Sequence, residues 1–236
     1  MLQDYISNVY GNNIHWFEEE VKEHTHRISK VFDNKNYLNG KHKILLREDM
    51  QYKGQEYITK KLVLNQAKTI LNFHTTYLLG KPISLVGSEN KVKEYQRIYR
   101  HGNYNNIDYK ILDNALKYGD AFEYVYLDGN VIKSKIINSE DGYPIYDDKM
   151  NYVGFIEHYI INNISYYTIY SIDRVEEWTN EGGELIKIGE YINSSGLPIH
   201  YSNGESEYIN FGRSVLEDIR PILDEMEDIL SKMSDS

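Results

Sequence analysis

The chain has 236 residues, with 26 Lys and Arg against 36 Asp and Glu, and no cysteine. That length supports one large domain or two small ones around a real hydrophobic core, and the absence of thiols excludes disulfides, thiolate metal sites and cysteine nucleophiles. A formal charge of −10 opposes general adhesion to phosphate backbones, so tight, static DNA binding is not expected.

No apolar run approaches the roughly 20 residues of a membrane helix. The opening Met1-Leu2-Gln3-Asp4 has neither the basic head nor the apolar middle of a signal peptide, so a soluble, unprocessed protein is expected. The Asn-x-Ser sites at Asn163 and Asn193 then read as chance. The 23 tyrosines fit the codon usage of an AT-rich genome better than a base-stacking surface.

From Ile14 to Phe32 the residues Ile14, Phe17, Val21, Ile28, Val31 and Phe32 return at helical spacing, with Glu18, Glu19 and Glu20 where the macrodipole favours acids. One amphipathic helix is predicted there, ending before a loop from Asn34 to Gly40. A second is predicted from Lys60 to Leu79, burying Val63, Ala67, Ile70, Leu71, His74 and Leu78. Gly80 stands where a left-handed C′ residue ends a helix, Lys81 complements the negative helix end, and Pro82 prevents resumption.

A third helical stretch covers Val92 to Arg100. A fourth covers Asn105 to Tyr118, with Ile107, Ile111, Leu112 and Ala115 as its apolar face and Gly119 as its stop. After Asp120 the period changes. Ala121 to Leu127 and Val131 to Ile137 flank Asp128-Gly129, a hairpin signal because both residue types tolerate positive φ. Further β-rich runs at Tyr143 to Tyr146, Tyr152 to Ile161, Tyr166 to Ile172, Val175 to Trp178 and Leu185 to Tyr191, separated by Asn, Asp and Gly turns, predict an antiparallel meander. The last element, Ser214 to Met233, carries Val215, Leu216, Ile219, Ile222, Leu223, Met226, Ile229 and Leu230 in one stripe that needs a partner. Pro221 either bends this helix or marks a restart at its first turn. The fold class is α+β, with N-terminal helices, an antiparallel sheet in the middle and a closing C-terminal helix. The expected division is 1–120 helical, 121–212 β-rich and 213–236 closing helix.

A phosphate loop is absent, because Gly80-Lys81 is followed by Pro82. There is neither a Gly-x-Gly-x-x-Gly between strand and helix nor a Gly-x-Ser-x-Gly elbow. Among the eight histidines, His24 and His26 diverge on a helix and no His-Glu-x-x-His occurs, so no metal site is expected. His74 reads as a hydrogen-bonded core histidine, Asp147-Asp148 as a solvated turn, and Glu18 to Glu20 as a solvated helix start. The cationic run Lys41, His42, Lys43 and Arg47 reads as facing water. No catalytic residue and no cofactor site is nominated.

Several of these segments resemble, in order, the portal proteins of long-tailed phages that infect Gram-positive bacteria. Asn36-Tyr37-Leu38-Asn39-Gly40-Lys41-His42-Lys43-Ile44 is similar to that family's Tyr-x-x-Gly-x-His-x-Ile segment. Asn65 to Ile70, leading to Tyr77-Leu78-Leu79-Gly80-Lys81-Pro82-Ile83, resembles its most recognisable stretch. Ala115-Leu116-Lys117-Tyr118-Gly119-Asp120-Ala121-Phe122-Glu123 resembles its helix-to-strand turn, and Pro144-Ile145-Tyr146-Asp147-Asp148 its middle-sheet motif. Leu197 to Glu205, followed by an apolar helix, resembles the approach to its central region. The likeness runs from about Asn36 onward. Gly80, Lys81, Pro82, Tyr118, Gly119, Asp128 and Gly129 are the positions expected to be structural.

The resemblance implies a subunit of a homo-oligomeric ring at one capsid vertex, through which double-stranded DNA is packaged and ejected without sequence-specific binding. It implies a virion protein assembled in the host bacterial cytoplasm, with major capsid and scaffolding proteins as partners and no membrane. A separate terminase supplies the work. The resemblance places the docking of terminase and head-completion proteins in regions beyond this chain, whose content corresponds to the wing and lacks stem, clip and crown. The alternative is a stand-alone, portal-derived interaction protein that interferes with capsid assembly.

Overall fold

The computed structural model describes residues 1–11, 13–204 and 210–235. Helix α1 (Leu2–Tyr10) stops at Gly11, which takes the left-handed conformation at φ 59°. Next come α2 (Trp16–Glu23) and α3 (Thr25–Leu38) in place of the one helix predicted from Ile14 to Phe32. The break at His24 has a packing reason. It lets Trp16 and Phe17 enter the core of the large sheet, while Arg27, Val31, Asn34 and Tyr37 of α3 are buried along a separate line. The predicted loop after Phe32 is helical as far as Leu38, because Asn34 donates to the Lys117 carbonyl at 3.2 Å and Tyr37 is fully buried.

A 3₁₀ turn (Lys43–Leu46) and a small hairpin, β1 (Met50–Tyr52) with β2 (Gln55–Tyr57), lead to α4 (Gln66–Leu79). Periodicity did not mark the hairpin, and α4 begins six residues later than predicted. Its buried face is Ala67, Leu71 and Thr75, so His74 and Leu78 are exposed and the expected core histidine is a surface one. Gly80 keeps helical angles, φ −64° and ψ −16°, instead of the left-handed ones predicted. The halt lies at Lys81-Pro82, since a residue before proline is pushed out of the helical region.

Helices α5 (Glu89–His101) and α6 (Tyr104–Tyr118) follow where expected, and Ile107, Ala115 and Leu116 of α6 turn inward. Strands β3 (Asp120–Asp128) and β4 (Val131–Ile137) pair antiparallel, with Asp128 opposite Val131. The two-residue turn is therefore Gly129-Asn130, and of the two only Gly129 has positive φ, 60°. That is the pattern of a turn with glycine at its first central position, one place later than Asp128-Gly129.

The predicted meander is a five-stranded antiparallel sheet of β5 (Gly142–Tyr146), β6 (Tyr152–Ile161), β7 (Ile164–Tyr170), β8 (Arg174–Thr179) and β9 (Ile186–Ile192), adjacent in chain order. A short β10 (Ile199–Ser202), unmarked by periodicity, returns to the other side of β3 and completes a three-stranded sheet. Helix α7 (Leu216–Ser234) closes the chain as one helix with Pro221 inside it, so the proline is no restart.

Among the described residues, three cores hold these layers together. Ile6, Trp16 and Phe17 lie against Tyr143, Ile145, Val153, Ile156, Tyr167 and Ile169 of the large sheet. Phe122 and Ile137 meet Phe155, Tyr170 and Val175 between the two sheets, with Phe122 and Phe155 edge to face at 5.2 Å. Tyr37, Ala67, Leu71, Leu116, Leu216 and Leu223 form an all-helical core. Each large apolar side chain fully buried there stabilises the fold by about 1.5–3 kcal/mol.

Candidate functional site

The turn from α6 into β3 is where the sequence expectations and the tertiary structure converge. Tyr118 ends α6, and Gly119 follows with φ 92°. A Cβ on Gly119 would stand 2.5 Å from the Gly212 carbonyl oxygen, and one on Gly212 would collide with the Gly119 carbonyl, so two backbones cross where only glycines fit. Gly119 accepts from the Asn203 amide at 2.8 Å, and the Leu116 carbonyl accepts from the Val215 amide at 3.0 Å, so the chain entering α7 is fastened to the end of α6.

Asp120, buried beside this crossing, accepts from the Gly212 amide and from His200 Nε2, each at 2.8 Å. With that tautomer His200 Nδ1 accepts from the Tyr146 hydroxyl at 2.8 Å. The Asp–His–Tyr order looks like a relay. Yet both imidazole nitrogens are already engaged, and burial, helped by the Asp120 charge, pushes the Tyr146 hydroxyl up to about 12, so no group here is an activated nucleophile. Its physical effect is to hold β10, β5 and the segment before α7 on one carboxylate. Arg27 adds to the pin by donating to the carbonyls of Ser139 and Gly142, with its guanidinium 5.3 Å from the Phe211 ring centre.

A second buried cluster joins α7 to the front of the chain. Glu227 is 0% exposed and accepts from His42 Nδ1 at 2.6 Å and from the Leu64 amide at 2.7 Å. His42 Nε2 lies 2.9 Å from the Tyr37 carbonyl, and the two rings stack at 4.0 Å. Ser231 accepts from the Leu62 amide at 3.0 Å and Asp235 from the Lys60 amide at 2.7 Å. Arg47 pairs with Asp235 at 2.7 Å. The cationic run expected to face water is therefore partly inside: His42 is buried, and Arg47 is tied to the end of α7.

Tyrosine hydroxyls hold several acidic groups. Tyr5 and Tyr10 donate to Glu20 at 2.8 and 2.9 Å, Tyr201 to Glu123 at 2.7 Å and Tyr170 to Glu157 at 3.2 Å. Glu20 is buried, unlike the solvated helix start expected for Glu18 to Glu20. Burial would raise its carboxyl, but donors from His24, Tyr5 and Tyr10 outweigh that and hold it below the ordinary carboxylate range. Asp147 is the solvated turn expected, accepting from the amides of Lys149 and Asn151 at 2.9 and 2.8 Å.

Two of the grooves among the described residues are large enough for a small ligand. One, of about 790 Å³, lies between α1 and the large sheet, where Arg174 and Lys187 pair with Glu176 and Glu190 and leave little net charge. The other, of about 710 Å³, is lined by Glu140, Asp141, Glu157 and His158. There each acid has its own partner: Lys35 for Glu140, Asn138 for Asp141, and Lys135 for Glu157. Burial pushes His158 down to about 4. Among the described residues no group of three or more His, Asp or Glu is placed to hold a metal ion.

The remaining positions expected to be structural lie at exposed ends of elements. Gly80, Lys81 and Pro82 lie at the exposed end of α4, and Asp128 and Gly129 at the tip of the β3–β4 hairpin. The family profile described as phage portal protein, SPP1 Gp6-like, matches residues 18–236. The chain belongs to that family. No curated protein matches it. The match begins at Glu18 inside α2 and so takes in nearly all of this portal-family chain, including both fastened ends of α7 and the Gly119 crossing. Glu205, the last residue of the Leu197 segment, lies outside the described residues. A phage portal role is structural, and among the described residues no helix is long and apolar enough to cross a membrane.

His42, Asp120, His200 and Glu227 were not singled out as a connected set by sequence reasoning. The signal they left is that His42, Asp120 and His200 each sit inside a segment that resembles the family, yet His42 and Glu227 lie 185 residues apart and Asp120 and His200 lie 80 apart.

Proposed function

We propose that the chain forms the wing of a portal ring at a capsid vertex, through which double-stranded DNA is packaged and ejected. The reading rests on the family match over residues 18–236. In this assignment residues 1–120 and 121–212 are the helical and β-rich parts of the wing, and 213–236 is the closing helix that leads toward the stem. Neighbouring copies and the capsid and scaffolding proteins are its partners, and the terminase supplies the work of translocation. The formal charge of −10 supports a surface that DNA passes without being held.

Ile222, Met226 and Ile229 of α7 are exposed and support the same reading, since monomeric proteins seldom leave such a stripe in water. Size exclusion with light scattering tests it. The mass is expected to rise with concentration above 27.8 kDa toward multiples of it. A mass fixed at that of one chain at every concentration would overturn the proposal for this chain.

A further inference from the structure

Two stretches of opposite charge carry apolar side chains that the fold leaves in water. Residues 66–101, from α4 through α5, hold six Lys and Arg against two Asp and Glu, a formal +4 within a chain of −10, with Lys68 on α4 and the other five cations between Lys81 and Arg100. Residues 210–235, which contain α7, hold three against seven, a formal −4.

On α4, Ala67, Leu71 and Thr75 face the core, which puts Phe73 and Tyr77 on the opposite side. They are 65% and 78% exposed, and their rings stack on each other at 5.9 Å. On α7, Leu216, Leu223, Glu227 and Ser231 face inward. Helical geometry then turns Ile222, Met226 and Ile229 outward, beside the exposed acids Glu225 and Asp218, the latter paired with Arg213 at 2.8 Å, and Ile222 is 64% exposed. One side of α7 is thus bonded to its own chain, and the other is an apolar strip with an acidic border.

We infer that the outer face of α7 in one copy seats on the Phe73 and Tyr77 face of α4 in a second copy. Charge decides the pairing. Two α7 faces meeting, or two α4–α5 arms meeting, would bring like charges together, whereas α7 against the arm joins opposite signs as it removes both apolar faces from water. The two faces are different patches of one molecule, so the contact is head to tail, the kind that closes rings. This rests on the ring reading and names the surfaces that make it.

The absence of cysteine gives a clean test in the full chain. Phe73→Cys and Tyr77→Cys on one side, and Ile222→Cys, Met226→Cys and Ile229→Cys on the other, change exposed positions, and circular dichroism checks that each variant folds. The variants are mixed in the six pairwise combinations, one member carrying a mass tag, and oxidised under native conditions. A disulfide requires Cα atoms roughly 4.4–6.8 Å apart. The expected result is a mixed, tagged-to-untagged disulfide dimer in at least one combination, lost when either cysteine is omitted. Chains that associate by light scattering yet link in no mixed combination, or only α7 to α7, overturn the inference and leave the ring reading standing. Chains that stay monomeric overturn both.

Discussion

Gly119 and Gly129 both hold positive φ, but for different reasons, and substitution separates them. Gly129 has nothing within 4 Å of where a Cβ would be, so Gly129→Ala meets only the left-handed backbone penalty, about 1 kcal/mol. Gly119→Ala adds a clash with the Gly212 backbone, which has no flexible side chain to move aside. It is expected to cost at least about 2–3 kcal/mol, and urea unfolding midpoints should rank the two in that order. Equal losses would mean that the backbone crossing gives way easily.

His158 makes a pH prediction. Its ring stacks on Tyr167 at 4.3 Å, its Nε2 is buried without a hydrogen-bond partner, and burial lowers its pKa from 6.5 to about 4. Between those values the unfolded chain binds the proton and the folded chain does not, so stability is lost as pH falls from 6.5 toward 4. Glu20, held below the ordinary carboxylate range, acts in the same direction at still lower pH. His158→Phe keeps the aromatic contact and removes the proton site. Comparing urea midpoints at pH 7 and pH 5, the variant should lose less stability than the wild type, by on the order of 1–2 kcal/mol given the partial exposure of the ring. An identical loss in both would place the acid sensitivity elsewhere.

At the scale of elements, α7 shows how an apolar stripe can mislead. Two residues of extended chain advance about 6.6 Å and four residues of helix about 6 Å. The amides of residues 60, 62 and 64 can therefore meet acceptors at 235, 231 and 227 in step along the helix. This also explains why α4 starts at Gln66: the amides before it are bonded to α7 instead of to their own helix. Glu227 is the central acceptor. Glu227→Ala leaves buried His42 and the Leu64 amide without their acceptor and is expected to cost about 3–5 kcal/mol. Glu227→Gln keeps an acceptor for Leu64 and should cost less. Equal stability of the alanine variant and the wild type in urea would contradict this account of the helix.

At the scale of the whole molecule, the positive arm 66–101 and the negative closing stretch 210–235 stand in a chain of −10. Uniform repulsion between copies is therefore locally reversed. Adding salt screens both effects, weakening the attraction between unlike patches and also the general repulsion, so the dependence of the light-scattering mass on concentration is the more direct readout.

The portal-like order of segments was legible in the sequence because helix ends, hairpin glycines and β-rich runs are local features. Gly119 takes the positive φ that a glycine at a helix end permits, and the five strands of the meander pair with neighbours in sequence. The buried polar pins were not legible, because each joins residues distant in the chain, and a charged side chain is read as solvated until a partner is known. By itself the sequence determined the kind and order of most elements, the lack of thiol chemistry and the family. Only the tertiary structure decided that α7 turns Glu227 and Ser231 inward and Ile222 and Met226 outward. Period 3.6 defines the faces of a helix, but which face is buried depends on what the rest of the chain presents, here a row of backbone amides that must find acceptors.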